Sequence, residues 1–129
     1  IKKGFDVDGD TVAWWLKQSD IARKEIYTAK TDIKDALKQF QDWLGKGNFR
    51  VWGNGADFDN AVVINAFRKF GVTQPWNYGL NRCFRTMKAS FPKVEIPNEG
   101  IAHHALDDAV WQAKYLIKLV EKNKLGILS

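Results

Sequence analysis

His103 and Asp108 are well placed by type and spacing to do chemistry. They stand in the string His103-His104-Ala105-Leu106-Asp107-Asp108. The apolar periodicity that follows puts His103 just before a long helix and Asp108 about one turn inside it. An imidazole with an unperturbed pKa of about 6.5 can take a proton from water at neutral pH. A carboxylate one turn away can ligate a divalent metal. The pair suits attack by a metal-bound water on a phosphodiester. Taken alone, the string also reads as a polar first turn, because the helix dipole favours Asp107 and Asp108 there.

A second carboxylate lies in Asn54-Gly55-Ala56-Asp57-Phe58-Asp59. This string follows a short β-type run, Phe49-Arg50-Val51-Trp52, and precedes a helix. Functional groups often sit at such strand-to-helix turns in α/β domains. The glycines let the backbone turn sharply and let a ligand come close. Asp59 at the helix start can reach a metal, and it also reads as a capping carboxylate.

The elements that must position these residues are mostly helical. Asp10 is expected to cap a short helix through Trp14, Trp15 and Leu16, and Ser19 another over residues 20–27. Thr31 opens a clearer helix, with Ile33, Leu37, Phe40 and Leu44 at helical spacing and Gly45 as its stop. The helix after Asp59 carries Val62, Val63, Ala66, Phe67 and Phe70 and ends at Gly71. A loop with Pro75 follows. Residues 81–89 form a short helix, or a brief strand and then a helix. Pro92 and Pro97 bracket an extended loop. The last helix shows a broad apolar stripe of Leu106, Ala109, Val110, Ala113, Leu116, Ile117 and Val120. That leaves one good strand, and one strand cannot bury a sheet face alone.

The 129 residues suit one domain with a real core. With 45% apolar and 27% charged residues, a disordered chain is excluded. The net charge of +5 fits a polyanionic ligand. Cys83 is the single cysteine, which rules out a disulfide within the chain and points to a reducing compartment, the cytoplasm. No apolar run approaches a membrane span, so no membrane partner is expected.

The order and spacing of the two motifs resemble the DnaQ-like, DEDDh-type family of 3′–5′ exonucleases. Its second motif, N-x3-F-D, is matched by Asn54, Phe58 and Asp59. Its third, H-x4-D, is matched by His103 and Asp108. The likeness covers roughly residues 49–120. Trp14-Trp15, the stretch from Gln18 through Ala22 and Arg23, and Arg82-Cys83-Phe84-Arg85-Thr86 add a likeness to phage or prophage exonucleases and related bacterial exoribonucleases. Cys83 stands where those proteins carry an acidic residue, which puts a polar role there in doubt.

The resemblance implies an α/β, ribonuclease H-like fold and a metal-dependent 3′–5′ exonuclease acting on single-stranded DNA or RNA with a free 3′ end. It implies His103 as general base, Asp59 and Asp108 as ligands of two Mg²⁺ or Mn²⁺ ions, and Asn54, Phe58, Arg82 and Arg85 as substrate-binding residues. His104 and Asp107 fall outside the catalytic register. A homodimer is compatible with the chain.

One departure from the family is large. Its first motif, D-x-E on an opening strand, is not found. Asp6-Val7-Asp8 is the nearest string, and the Trp-Trp helix follows it where strands are expected. Residues 1–129 are therefore expected to be one partial, helix-rich exonuclease domain lacking its first strands, and inactive as it stands. Two alternatives remain open. One is an inactive nucleic-acid-binding or interaction domain of the same fold. The other is a helical module in which both motifs are caps, with Asp59 and Asp108 far apart.

Overall fold

The computed structural model describes residues 4–97, 100–101 and 103–125. Ile1, on which the expectation of missing strands partly rests, lies outside the described residues.

Among the described residues, six α-helices and a two-stranded parallel sheet follow one another. Helices α1 (Gly9–Leu16), α2 (Asp20–Thr28) and α3 (Ile33–Leu44) come first. Strand β1 (Val51–Gly53) leads through a π-helical turn (Ala56–Asn60) into α4 (Ala61–Lys69). A 3₁₀ turn (Tyr78–Leu80) precedes β2 (Asn81–Cys83), which runs straight into α5 (Phe84–Ser90). Helix α6 (Ala105–Asn123) closes the described fold. The helix-rich content and the small parallel sheet are compatible with an α/β fold.

Local chemistry explains most boundaries, with two corrections. Asp8, not Asp10, caps α1: its carboxylate accepts from Thr11 N at 2.8 Å and from Thr11 Oγ1 at 2.7 Å. Asp32, not Thr31, caps α3, accepting from Lys34 N at 2.9 Å. Ser19 caps α2 as expected, and Gly45 ends α3 at φ +66°. In both corrected cases a carboxylate near the start wins because it reaches an orphan N–H of the first turn.

The sequence shows one good strand, and the described residues form two. β2 pairs with β1 in parallel, Val51 opposite Asn81, Trp52 opposite Arg82 and Gly53 opposite Cys83. Side-chain amides lock this pairing. Buried Asn60 donates from Nδ2 to Val51 O at 3.0 Å and to Asn81 Oδ1 at 2.9 Å. Asn81 Oδ1 also accepts from Trp76 Nε1 at 2.8 Å. A Cβ on Gly53 would run into Asn60 Oδ1, so only glycine fits at the end of β1.

Two apolar clusters flank the sheet. One gathers Leu37, Ala66, Phe67, Val72 and Trp76 between α3 and α4. The other gathers Phe84, Val94, Tyr115, Leu116, Leu119 and Val120 between α5 and α6. The stripe of α6 is only partly used. Leu116 and Val120 are buried, whereas Leu106 is 66% exposed and Val110 and Ile117 also face outward. A two-stranded sheet is too narrow to cover the whole stripe.

Candidate active site

The candidate site forms where β1 ends. Gly55 takes φ +119°, a conformation that side-chain-bearing residues rarely adopt. Its carbonyl then accepts both the Phe58 and the Asp59 N–H at 2.9 Å. This tight π turn, a form frequent at functional sites, carries Asp59 to the mouth of a cleft beneath α6. Asp59 is not a cap, because no side chain caps the turn.

Asp59 and Asp108 line the same cleft, with Trp52, Gly53, Asn54, Ala105, Ala109 and Gln112, around a volume of ≈ 340 Å³. The two carboxylates come from different elements, the π turn and the first turn of α6. The arrangement in which both motifs are distant caps is thus not the one observed. The crevice sits at the carboxyl end of a parallel strand, where α/β domains commonly bind ligands. Gln112, one turn beyond Asp108, is a polar lining residue that the sequence reading did not single out.

A second hollow, of ≈ 600 Å³, shares Asn54 and Asp59 with the first and adds Asp8, Asp10, Thr11, Trp14, Trp15, Phe58 and Arg85. Helix α1 forms one wall of it. Phe58, 69% exposed, lines this hollow and not the carboxylate cleft. Arg85 lines it too, and donates to Asn54 O at 3.1 Å. Arg82 lines neither hollow. Its guanidinium donates to Gly79 O at 2.9 Å and Asn81 O at 2.8 Å, bracing the entry to β2. Asp8, rejected as part of a metal-binding motif, caps α1 while edging the hollow that holds Asp59.

His103 lines neither hollow. It sits in a tight turn closed by His104 N donating to Ile101 O at 3.1 Å, with its own φ at +66°. Asp107 holds this turn, accepting the Ile101 N–H at 2.9 Å. His104 Nδ1 lies 3.2 Å from the Asp107 carboxylate, near enough for ion pairing but out of line for a hydrogen bond. The Ile101 N–H, opposed in part by desolvation and seconded by His104, holds the Asp107 carboxyl below its ordinary range. Asp107 therefore organises the loop that presents His103. The His103 ring meets Trp14 edge-to-face, with centroids 4.8 Å apart and planes at 82°.

Cys83 keeps a polar role where an acidic residue was expected. It is the N-cap of α5, and its Sγ accepts from Thr86 N at 3.5 Å. Hydrogen bonding from Thr86, then the backbone N–H of Ala56, pulls the thiol down to about 7.

The chain matches the family of the 3′–5′ exoribonuclease Rv2179c-like domain over residues 1–120, and it belongs to that family. Membership puts it in a class of 3′–5′ exoribonucleases, hydrolases with a nucleic-acid substrate. No curated protein and no solved structure matched the chain. Among the described residues, no helix is long and apolar enough to cross a membrane.

The donor set fits a metal only in part. Among the described residues, no three His, Cys, Asp or Glu side chains are grouped to hold an ion. Asp59 and Asp108 together offer what one Mg²⁺ asks of a protein, since that ion keeps several waters and takes one or two carboxylates plus substrate phosphate. They do not make a two-ion clamp.

Proposed function

We propose that the Asp59–Asp108 cleft is the hydrolytic centre of a DEDDh-type, ribonuclease H-like 3′–5′ exonuclease, acting on single-stranded RNA or DNA from a free 3′ end. The observation that carries this reading is the convergence of the two motif carboxylates on one strand-end cleft. The family match supports the exoribonuclease activity and the RNA substrate.

In this reading Asp59 and Asp108 would hold a Mg²⁺ or Mn²⁺ ion, which when bound supplies charge stabilisation at the scissile phosphate. His103 takes the proton of the attacking water. The Gly55 turn keeps the backbone low, so that the 3′ end can approach Asp59. Arg85, at the rim of the neighbouring hollow, faces the phosphate backbone. Its charge positions the strand without reading sequence.

The test assays the complete protein on 3′-labelled single-stranded oligoribonucleotides and the matching deoxy strands, with Mg²⁺, Mn²⁺ or EDTA. Stepwise release of nucleoside monophosphates with a divalent ion, abolished by EDTA and lowered at least about a hundredfold by Asp59→Asn or Asp108→Asn, is expected, the usual scale for lost transition-state charge stabilisation. Full activity in both carboxylate variants sinks the reading.

A further inference from the structure

We propose that Trp14 is a positioning residue that fixes the His103 imidazole. This inference rests on His103 acting as the base in the proposed reaction.

A base in water-activated hydrolysis must hold its ring nitrogen within about 2.6–3.2 Å of the water it deprotonates. Such histidines are commonly oriented by a carboxylate on the second ring nitrogen. Among the described residues, His103 has no such partner. Among the described residues its side chain makes no hydrogen bond or ion pair, and the nearby Asp107 carboxylate is turned to Ile101 N and towards His104. Its backbone stands at φ +66° in an exposed turn. What meets the ring there is Trp14, edge-to-face at 4.8 Å.

Trp14, 43% exposed, is held by its own helix. It packs edge-to-face on Trp15 with centroids 5.0 Å apart, and its carbonyl accepts from Gln18 Nε2 at 2.9 Å. Asp8 fixes the start of α1 through Thr11. Upstream of α1, Gly4 O accepts from Lys69 Nζ at 2.6 Å, and Phe5 lies against Phe70, just past the end of α4, with centroids 5.9 Å apart. Helix α1 thus spans from the α4 side of the fold to the His103 turn, walling the hollow that contains Asp59 on the way. It contributes no buried residue to either core. An aromatic pair on a helix outside the core, meeting a candidate base that no other described side chain orients, is a positioning contact.

The experiment uses the complete protein. The first readout needs no turnover. With ¹³C,¹⁵N-labelled protein, the ring resonances of His103 and His104 are assigned, and Trp14→Leu is compared with the parent. The His103 ring signals should move by the loss of the indole ring current while those of His104 stay in place. Unmoved His103 signals overturn the proposal. Trp14→Phe keeps an aromatic ring, should keep the His103 signals displaced, and serves if the leucine variant does not fold.

The second readout is a kinetic cycle on a single-stranded oligoribonucleotide. Trp14→Leu should lower kcat about tenfold with KM nearly unchanged, the rate equivalent of about 1.4 kcal/mol, and Trp14→Phe should restore most of it. In a His103→Ala background, Trp14→Leu should add nothing. An equal loss in both backgrounds, or a raised KM with kcat intact, overturns the positioning role and makes Trp14 a wall of the substrate site. Full activity of His103→Ala by itself sinks the base assignment instead, so the two failures are told apart.

Discussion

The Asp107 carboxylate takes the Ile101 N–H at 2.9 Å and so clamps, from the first turn of α6, the loop in which His103 stands. Asp107 was outside the catalytic register in the sequence, and its place in the fold explains why it is nonetheless next to the chemistry. Gly100, at φ +110°, is pressed against it, and a Cβ there would come within 2.8 Å of the Asp107 side chain. Asp107→Ala should therefore free the loop. Amide exchange at Ile101 should accelerate while the α6 core amides of Leu116 and Leu119 keep their protection. Unchanged exchange at Ile101 would refute the clamp.

The same clamp is pH-dependent, and its sign follows from the bond. The Ile101 N–H stabilises the ionised carboxylate, so Asp107 titrates below the ordinary value of 3.8 when folded. A depressed folded pKa adds stability above the unfolded value and loses it as pH falls through the folded one. Ile101 exchange, corrected for its intrinsic rate, should be flat from neutral pH down to about 4 and should loosen below that. In Asp107→Ala this acid-dependent step should be absent.

Asn60 gives a larger stability effect. It is buried and joins β1 to β2 through Val51 O and Asn81 Oδ1. Asn60→Leu removes both donors and leaves Val51 O without this side-chain donor, for a cost of about 1–3 kcal/mol. Urea denaturation followed by tryptophan fluorescence measures it. Gly53→Ala should act in the same direction, because a Cβ there collides with the same amide. A loss below about 0.5 kcal/mol in both, the scatter of ordinary surface substitutions, would remove the amide lock from the account.

Asn60 also shows where the sequence stops being readable. Helices α3 and α6 could be read because their apolar residues recur over many turns, and the Gly55 turn because few residues reach positive φ. β2 is three residues long, Asn81-Arg82-Cys83, with no apolar alternation at all. It is a strand because Asn60 and Trp76 grip Asn81, a tertiary fact invisible to any local window. The meeting of Asp59 with Asp108 was legible as motif spacing, whereas that of Trp14 with His103 was not. The partners in the second pair lie on separate elements far apart in the chain, and neither residue's neighbours announce the other.

Cys83 offers the most direct test of how the turn and the sheet end are joined. Hydrogen bonds from Thr86 and Ala56 stabilise its thiolate and bring its pKa to about 7, against an ordinary 9.0. The thiolate is the reactive form. The rate of alkylation by iodoacetamide should thus inflect near pH 7, and Thr86→Val, which removes the largest contribution, should move the inflection upward. The linkage sign matches the depressed folded pKa. The stabilising share is complete above about pH 9 and is lost as pH falls through 7. Between those values the parent should become more resistant to urea as pH rises, relative to Cys83→Ala. Cys83→Asp carries its charge throughout that range and should show no such step. If alkylation instead follows a thiol titrating near 9, the cap at α5 does not bind the thiolate, and the link from β2 to the Asp59 turn rests on the Asn60–Asn81 bond.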